Sequence, residues 1–318
     1  MMRHDADVSV ISTSGLTMQF GPQRAPDALD VEVPHGITGL VGANGAGKTT
    51  LMSILLGLRR ATSGTATVLG LDPTTQGPEL RALVGYGPER NVLPEDMPAS
   101  DFVKHLAEVR GLPPDEARGR ASDALWLVGL GEERFRALGS MSTGQRQRVK
   151  LAQAIAADPR LIFLDEPTDG LDPVQRDEML ALIRQISAEY AIDVVLSSHL
   201  LEEVERICDN VVALDAGRLV AGGSLADLVG NDEGVVLELI EIADRPGAVD
   251  RVSATLVARG LEVRPLGIGM VEVIGPDVDL IADAVRDAVA DHGARLGKVV
   301  RRRRRLEDLF HIAAEAPS

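Results

Sequence analysis

This chain is poor in aromatic side chains, which make up 3% of it, and it holds a single cysteine, Cys208. One thiol excludes a disulfide within the chain and any multi-thiolate metal site, and it suits a reducing cytosol. Cys208 itself reads as a small buried apolar residue. Cations are also in the minority, 33 Lys and Arg against 48 Asp and Glu, for a formal charge of -15. So acidic a chain repels nucleic-acid phosphates unless its basic residues gather on one face, and nucleic acid is therefore not expected as a partner. Long apolar runs are missing too, since none approaches the about 18 residues that cross a bilayer. The opening MMRHDADVSV has no uninterrupted apolar stretch of the kind a secretory leader needs. The chain is expected to be soluble by itself, with any membrane role arriving through a partner.

What is present is enough apolar material, 45% of 318 residues, for one large α/β domain and a smaller one. Residues 8–70 carry short β-branched runs between Gly and Pro, namely VSVIST, LDVEV, GITGLV and GTATVLG, and these read as strands. From 98 to 157 the pattern turns helical, as in DFVKHLAEVRG and DEARGRASDALWLVGL. Strand signals return in LIFLD, VVLSS and VVALD, separated by helical stretches at 173–189 and 200–207. Such alternation predicts a sheet covered by helices, with a helical insertion in its middle. After residue 224 the pattern restarts as strand (VVLELIEI), helix (248–259), strand (LEVRPL), strand (MVEVIG), helix (280–292) and strand (LGKVV). That is the βαββαβ order of a small α+β, ferredoxin-like domain. The expected division is 1–224, with a helical subdomain at 90–157, and 225–318.

The sharpest motif is G-A-N-G-A-G-K-T, Gly42 to Thr49, placed between the strand candidate GITGLV and the helix candidate KTTLMSILLGL. It fits the phosphate-loop pattern in the context that pattern requires. Glycines let backbone N–H groups approach phosphate oxygens closely, and the helix start adds its positive dipole end. Lys48 would reach the β and γ phosphates, and the Thr49 hydroxyl would ligate Mg²⁺. Lysine occurs only four times in the chain. A chance match to the pattern is accordingly expected in about one of three hundred such chains.

LIFLDEP, Leu161 to Pro167, is an apolar strand ending in two carboxylates. At a strand tip beside a phosphate loop, Asp165 can hold Mg²⁺ directly or through water. By strand alternation Glu166 points to the other side, where it can orient or deprotonate an attacking water. His199, in VVLSSHLLEEVE, also lies just past a strand end and is a candidate γ-phosphate contact.

With MSTGQRQRVKLAQAI, Met141 to Ile155, added to these motifs, residues 8–230 resemble the ATP-binding subunit of ABC transporters. The resemblance implies a P-loop NTPase fold of ABC type, with a mixed sheet core, an antiparallel β subdomain and a helical subdomain. It also implies an ATP hydrolase that uses ATP and Mg²⁺, with Glu166, His199 and Lys48 catalytic. ATP would be bound by Phe20, stacked on adenine, and by Gly42, Asn44, Gly45, Ala46, Gly47, Lys48, Thr49 and Thr50. The signature residues Ser142, Thr143, Gly144 and Gln145 would close over ATP held by another subunit, and Asp172 would touch that subunit. One cassette per chain then implies a dimer with a second copy or a paralogous ATPase subunit. A separate integral-membrane permease is the other implied partner, which would hold the chain at the inner face of the cell membrane.

At Glu89, in VGYGPERN, the resembling family usually has glutamine that reaches Mg²⁺ or the attacking water. Glutamate can still ligate Mg²⁺, but it adds negative charge near phosphates, so it must sit farther off or be compensated by a neighbour such as Arg90. The Y-x-P-E sequence, S-T-G-Q and L-E-D-L-F near the C-terminus resemble the branch that drives ABC-2 type exporters, which includes drug and antibiotic self-resistance systems. The competing reading is an importer ATPase with a regulatory C-terminal domain, and a cytosolic non-transport ATPase is a third. Last, VVRRRRR, residues 299–305, places five arginines in an acidic chain. A covered strand would bury unpaired charge there, so the run is expected on an exposed edge or just past the strand, ahead of a helix on which Leu306, Leu309, Phe310 and Ala313 share a face. The alternatives for it are a blunted edge, an acid-facing contact within the dimer, and a lipid or nucleic-acid contact.

Overall fold

β-branched runs near the start of the chain separate into two sheets according to how their side chains are buried. The computed structural model describes residues 9–89, 93–229, 233–240, 247–303 and 306–307. β1 (Ile11–Thr17) is followed by a hairpin of two-residue strands, β2 (Gln19–Phe20) and β3 (Gln23–Arg24), and then by β4 (Leu29–Val33). In β4, Leu29, Val31 and Val33 are buried while Asp30 and Glu32 are exposed, the period of two of a strand with one wet face. β5 (Ile37–Val41) is buried at every residue, as a strand covered on both faces must be. After it come α1 (Lys48–Leu55), β6 (Ser63–Val68), α2 (Gly77–Leu83) and β7 (Val84–Gly87). Three helices follow, α3 (Ala99–Val109), α4 (Pro114–Leu127) and α5 (Thr143–Ile155), with 3-10 turns at Gly131–Phe135 and Leu138–Ser140. The series continues with β8 (Leu161–Asp165), α6 (Pro173–Tyr190), β9 (Asp193–Ser198) and α7 (Leu201–Ile207). It closes with β10 (Asn210–Asp215), β11 (Arg218–Ser224) and α8 (Leu225–Val229).

Two compact units result, residues 1–225 and 226–318. In the first, β4-β1-β6 form an antiparallel sheet, and β11-β10-β5-β9-β8-β7 form a mixed one that is parallel from β10 to β7. This mixed core with an antiparallel sheet and helices is the fold class expected from the sequence. Its interior joins both sheets through α1, where Leu51, Met52, Ile54 and Leu55 pack with Ile11, Leu29, Leu40 and Phe163. Each such side chain stabilises the fold by about 1.5–3 kcal/mol on burial. The parallel strands end level with one another, Val41 beside Ser198 and Asp165 beside Ser197. The residues that follow them, Gly42, Glu166 and His199, therefore emerge at one edge of the sheet, the place where open α/β sheets bind ligands.

Among the elements of this unit that escaped the pattern are the β2–β3 hairpin, α2, β7 and β11. β7 has the sequence VGYG, short and glycine-rich, because α5 lies against its backbone. A Cβ at Gly85 would stand 2.0 Å from the Ala154 carbonyl oxygen, and one at Gly87 3.4 Å from that of Lys150. Glycine here serves close packing rather than a turn.

The second unit contains β12 (Glu233–Ile240), α9 (Ala248–Ala258), β13 (Glu262–Gly267), β14 (Met270–Gly275), α10 (Val278–His292) and β15 (Arg295–Arg303). Its element order is βαββαβ, and its four strands pair antiparallel as β13-β14-β12-β15. Val235, Leu237 and Leu239 of β12 meet Val252 and Leu256 of α9 and Ile281 and Val285 of α10 in its core. The first three arginines of the run extend β15, with Arg301 opposite Val235 and Arg303 opposite Glu233. β15 stands at the end of the strand order and Arg301 is exposed, so the part of the run within the strand is on a sheet edge. Leu306 is buried, whereas Arg304, Arg305, Leu309, Phe310 and Ala313 lie outside the described residues, as does Arg90.

Cys208 is buried, and burial, with Asp209 beside it, pushes its thiol well above the usual range. An aromatic disulfide reagent at pH 8 should therefore label no thiol in the native chain and one in denaturant. Replacing Gly85 by Ala should destabilise the first unit by about 1–3 kcal/mol, since a backbone oxygen cannot step aside. Thermal or urea unfolding checks it, and an unchanged midpoint would refute the close α5–β7 approach.

Candidate functional site

Where β5 ends, the phosphate-loop sequence turns back on itself and enters α1. Gly42 takes a φ of 153°, and a Cβ there would lie 2.2 Å from the Leu214 carbonyl oxygen. Gly47 caps α1 with a φ of 103° and no side-chain hydrogen bond, so the first N–H groups of the helix are left for a ligand. Lys48 is buried, and its Nζ donates to the Gly42 carbonyl at 2.6 Å. The same ammonium lies 3.7 Å from Glu166 Oε1.

β8 ends at Asp165, and the two carboxylates after its apolar run part company there. Glu166 has a φ of 48°, so it does not continue the strand's alternation as expected. The chain leaves the strand at that residue through a left-handed conformation, which costs about 1–3 kcal/mol and aims the carboxylate at Lys48. Ser197, at the level of Asp165 in β9, fastens the turn. Its hydroxyl donates to Asp165 Oδ1 at 2.6 Å and accepts from the Glu166 N–H at 2.9 Å. Asp165 Oδ2 is buried without a hydrogen-bond partner, an orphaned oxygen of the kind that fits a divalent cation or its water. His199 Nδ1 lies 2.8 Å from Glu166 Oε2, so one carboxylate faces a lysine on one oxygen and a histidine on the other.

These groups border a cavity of about 470 Å³, whose lining includes Phe20, Asn44, Gly45, Gly47, Lys48, Thr49, Thr50, Glu89, Glu166 and His199. Gly42, Ala46 and Asp165 stand behind that surface rather than on it. Phe20 is a third exposed or more, and the Arg59 guanidinium sits 5.8 Å from its ring centre. A chamber with an ammonium, free helix N–H groups and a carboxylate held by histidine can bind a polyphosphate and deprotonate water beside it.

Comparison with known proteins agrees with this chemistry. Residues 27–169 match the ABC transporter family. The daunorubicin resistance ATP-binding protein DrrA2 of Streptomyces coeruleorubidus is 33% identical over 96% of this chain and 94% of its own length. The chain belongs to the ATP-binding proteins of ABC transporters. It is an ATP-hydrolysing subunit of that family. The daunorubicin/doxorubicin resistance protein DrrA of Streptomyces peucetius is 34% identical over 69% of this chain, which spans 66% of that relative's length. A methionine import ATP-binding protein of Rhizobium johnstonii is 32% identical over 92% of this chain and 81% of its own length. Among solved structures, an ATP-binding subunit of an ABC transporter superposes with a TM-score of 0.61 at 27% identity, covering 69% of this chain and 92% of that one.

The remaining ABC motifs fall elsewhere. Ser142 caps α5 in a reciprocal box, its hydroxyl accepting from Gln145 N–H at 3.2 Å while Gln145 Oε1 accepts from Ser142 N–H at 3.0 Å. The N–H groups of Thr143 and Gly144 stay outside the helical ladder. Asp172 caps α6, accepting from Gln175 N–H at 2.9 Å. None of these five residues lines the phosphate-loop cavity of its own chain. Glu89 does, with its side chain exposed.

Three buried supports were not picked out from sequence. Ser197 is one, announced only by a serine pair before a histidine. Glu203 is another: its Oε2 accepts from Thr168 Oγ1 at 2.9 Å and Ser198 Oγ at 2.7 Å. Its Oε1 stands 3.2 Å from Arg176 Nε, an ion pair whose angle falls short of a hydrogen bond. The third is Lys150, in α5. Glu166→Gln keeps the length of the side chain but removes its charge. ATP affinity should survive while turnover falls by about 10²–10⁴-fold, measured by nucleotide binding and phosphate release. Unimpaired turnover would remove Glu166 from the chemistry.

Proposed function

We propose that this chain powers export of a small hydrophobic or amphipathic compound, such as a drug, antibiotic or lipid, through a separate permease. It would do so as a dimer whose two ATP sites are shared between subunits. The observation that carries the dimer is the incompleteness of the site in one chain. Lys48, Glu166 and His199 meet in the cavity, but Ser142, Thr143, Gly144 and Gln145 do not line it. Supplied by a second copy, the free N–H groups at the start of α5 would meet the γ phosphate with a second positive helix end. A two-fold pairing then makes two equal sites.

Within each site Glu166 acts as the base toward the attacking water and His199 holds it in place. Lys48 neutralises the β and γ phosphates, and Phe20 stacks on the adenine. Thr49 and Asp165 hold Mg²⁺, with Glu89 as a further ligand, and the ion supplies charge neutralisation to the phosphates. Export is favoured because the daunorubicin-resistance relative matches this chain along almost the whole of both lengths. The importer reading rests on the methionine import relative, which matches along a smaller share of its own length.

Among the described residues no helix is long and apolar enough to cross a membrane, so the permease must supply the span. A groove of about 520 Å³ in the first unit, lined by Leu56, Leu58, Tyr86, Leu106 and Val109, supports a docking place for it. Leu58 and Val109 are well exposed there, and such apolar patches rimmed by polar groups mark partner sites. Arg110 stiffens the rim by donating to the carbonyls of Ala154 and Arg81. The subunit would thus sit at the cytoplasmic face of the membrane.

Mixing two inactive variants tests the shared site. Lys48→Ala removes the ammonium and Gly144→Asp sets a negative charge at the signature, where only the flexible Gln175 side chain lies close. Alone, each should be inactive, and an equimolar mixture should recover about a quarter of wild-type hydrolysis, because half the dimers keep one intact site. No recovery would reject the shared site. Val109→Asp, in the groove, should cut hydrolysis stimulated by the co-encoded permease in vesicles by about tenfold, as a buried charge at an interface does. Full stimulation would place the permease elsewhere.

A further inference from the structure

One of the chain's four lysines is closed off from water inside α5. Lys150 is 3% exposed, and its Nζ donates to the carbonyl oxygens of Pro88 at 2.9 Å and Glu89 at 3.0 Å. Burial pushes this ammonium down to about 8, while Asp169, Asp165 and Glu89 favour its charged form. An ammonium taken out of water is costly, so its two carbonyl contacts are a commitment rather than an accident of packing. Three residues on, Gln153 Nε2 donates to the Tyr86 carbonyl at 3.1 Å. The spacing i, i+3 puts both donors on one face of α5. That face meets the end of β7 so tightly that only glycine fits at Gly85.

α5 therefore joins two places that concern nucleotide. At its first turn stand Ser142 and Gly144 in the capping box, and beside its middle the backbone of Glu89 leads a side chain into the phosphate-loop cavity. A single helix carries displacement from one to the other without a flexible link. We propose that Lys150 is a positioning residue that fastens the Pro88–Glu89 backbone to α5, so that Glu89 shifts within its own nucleotide cavity whenever the signature helix moves. The inference rests on the shared-site reading, in which ATP in the other subunit pulls on the start of α5. It gives this buried lysine a part in linking the two sites.

Steady-state hydrolysis by the full chain tests it through a double-mutant cycle of Lys150→Met and Glu89→Ala. Methionine keeps the apolar stem and loses the donors. In the wild-type background Lys150→Met should lower kcat by about tenfold and leave KM for ATP within about twofold. In the Glu89→Ala background the same change should move kcat by less than about twofold, since no side chain is left to position. Equal losses in both backgrounds would reduce Lys150 to a structural support, and no loss in either would overturn the inference outright. Should Lys150→Met fail to fold, Lys150→Gln, which keeps an amide donor, carries the same comparison and should lose less. Failure of the shared-site reading is seen separately, as no recovery in the Lys48→Ala and Gly144→Asp mixture.

Discussion

Everything around the nucleotide cavity depends on one short-range constraint, a buried ammonium held between a backbone carbonyl and a carboxylate. Lys48 reaches 2.6 Å to Gly42 and 3.7 Å to Glu166. Both side chains are mostly buried at the cavity wall, so loss of either leaves the other without its partner. The contact links the turn after β5 to the turn after β8 at the wall of the cavity. Under the proposed function a polyphosphate in the cavity would compete with Glu166 for the ammonium, and would leave the carboxylate to His199 and to water.

Behind that contact lies a buried polar interior. Ser197 binds the Asp165 and Glu166 turn to β9, and Glu203 binds Thr168 to Ser198. Arg176, one turn into the helix capped by Asp172, pairs with Glu203. Gln147 of α5 adds a bond to the Asp169 carbonyl at 2.9 Å. Hydrogen bonds and an ion pair thus tie α5 and α6 to the residues that follow β8 and to β9.

How much of this was legible follows from where the determinants lie in the chain. Gly42 to Thr49, Asp165–Glu166 and His199 each follow an apolar run that reads as a strand, and strand ends are local features. Their convergence was legible because parallel strands of one sheet end at a common edge. The orientation of Glu166 was not legible, because strand alternation cannot anticipate a left-handed residue held by a hydroxyl 31 positions away. β7 was lost for the opposite reason: the glycines that let α5 touch it also erase its β-branched signal. Lys150 and Glu203 sit within helical sequence as ordinary charged residues, and only the packing of distant elements makes them buried.

The glutamate at position 89 shows how local charge logic and fold logic meet. A carboxylate added to a phosphate chamber raises the electrostatic cost of binding ATP, unless a cation lies close by in a medium of low dielectric. Arg90 was the neighbour expected from sequence to supply it. The described structure offers a different cation, since Lys150 stands directly behind the Glu89 main chain and is too buried to be screened by salt. It does not meet the carboxylate head-on. It holds the Pro88 and Glu89 carbonyls, and its charge is shared among Asp169, Asp165 and Glu89. The acid at the cavity wall and the buried base in the adjoining helix thus meet at one stretch of backbone, Pro88–Glu89.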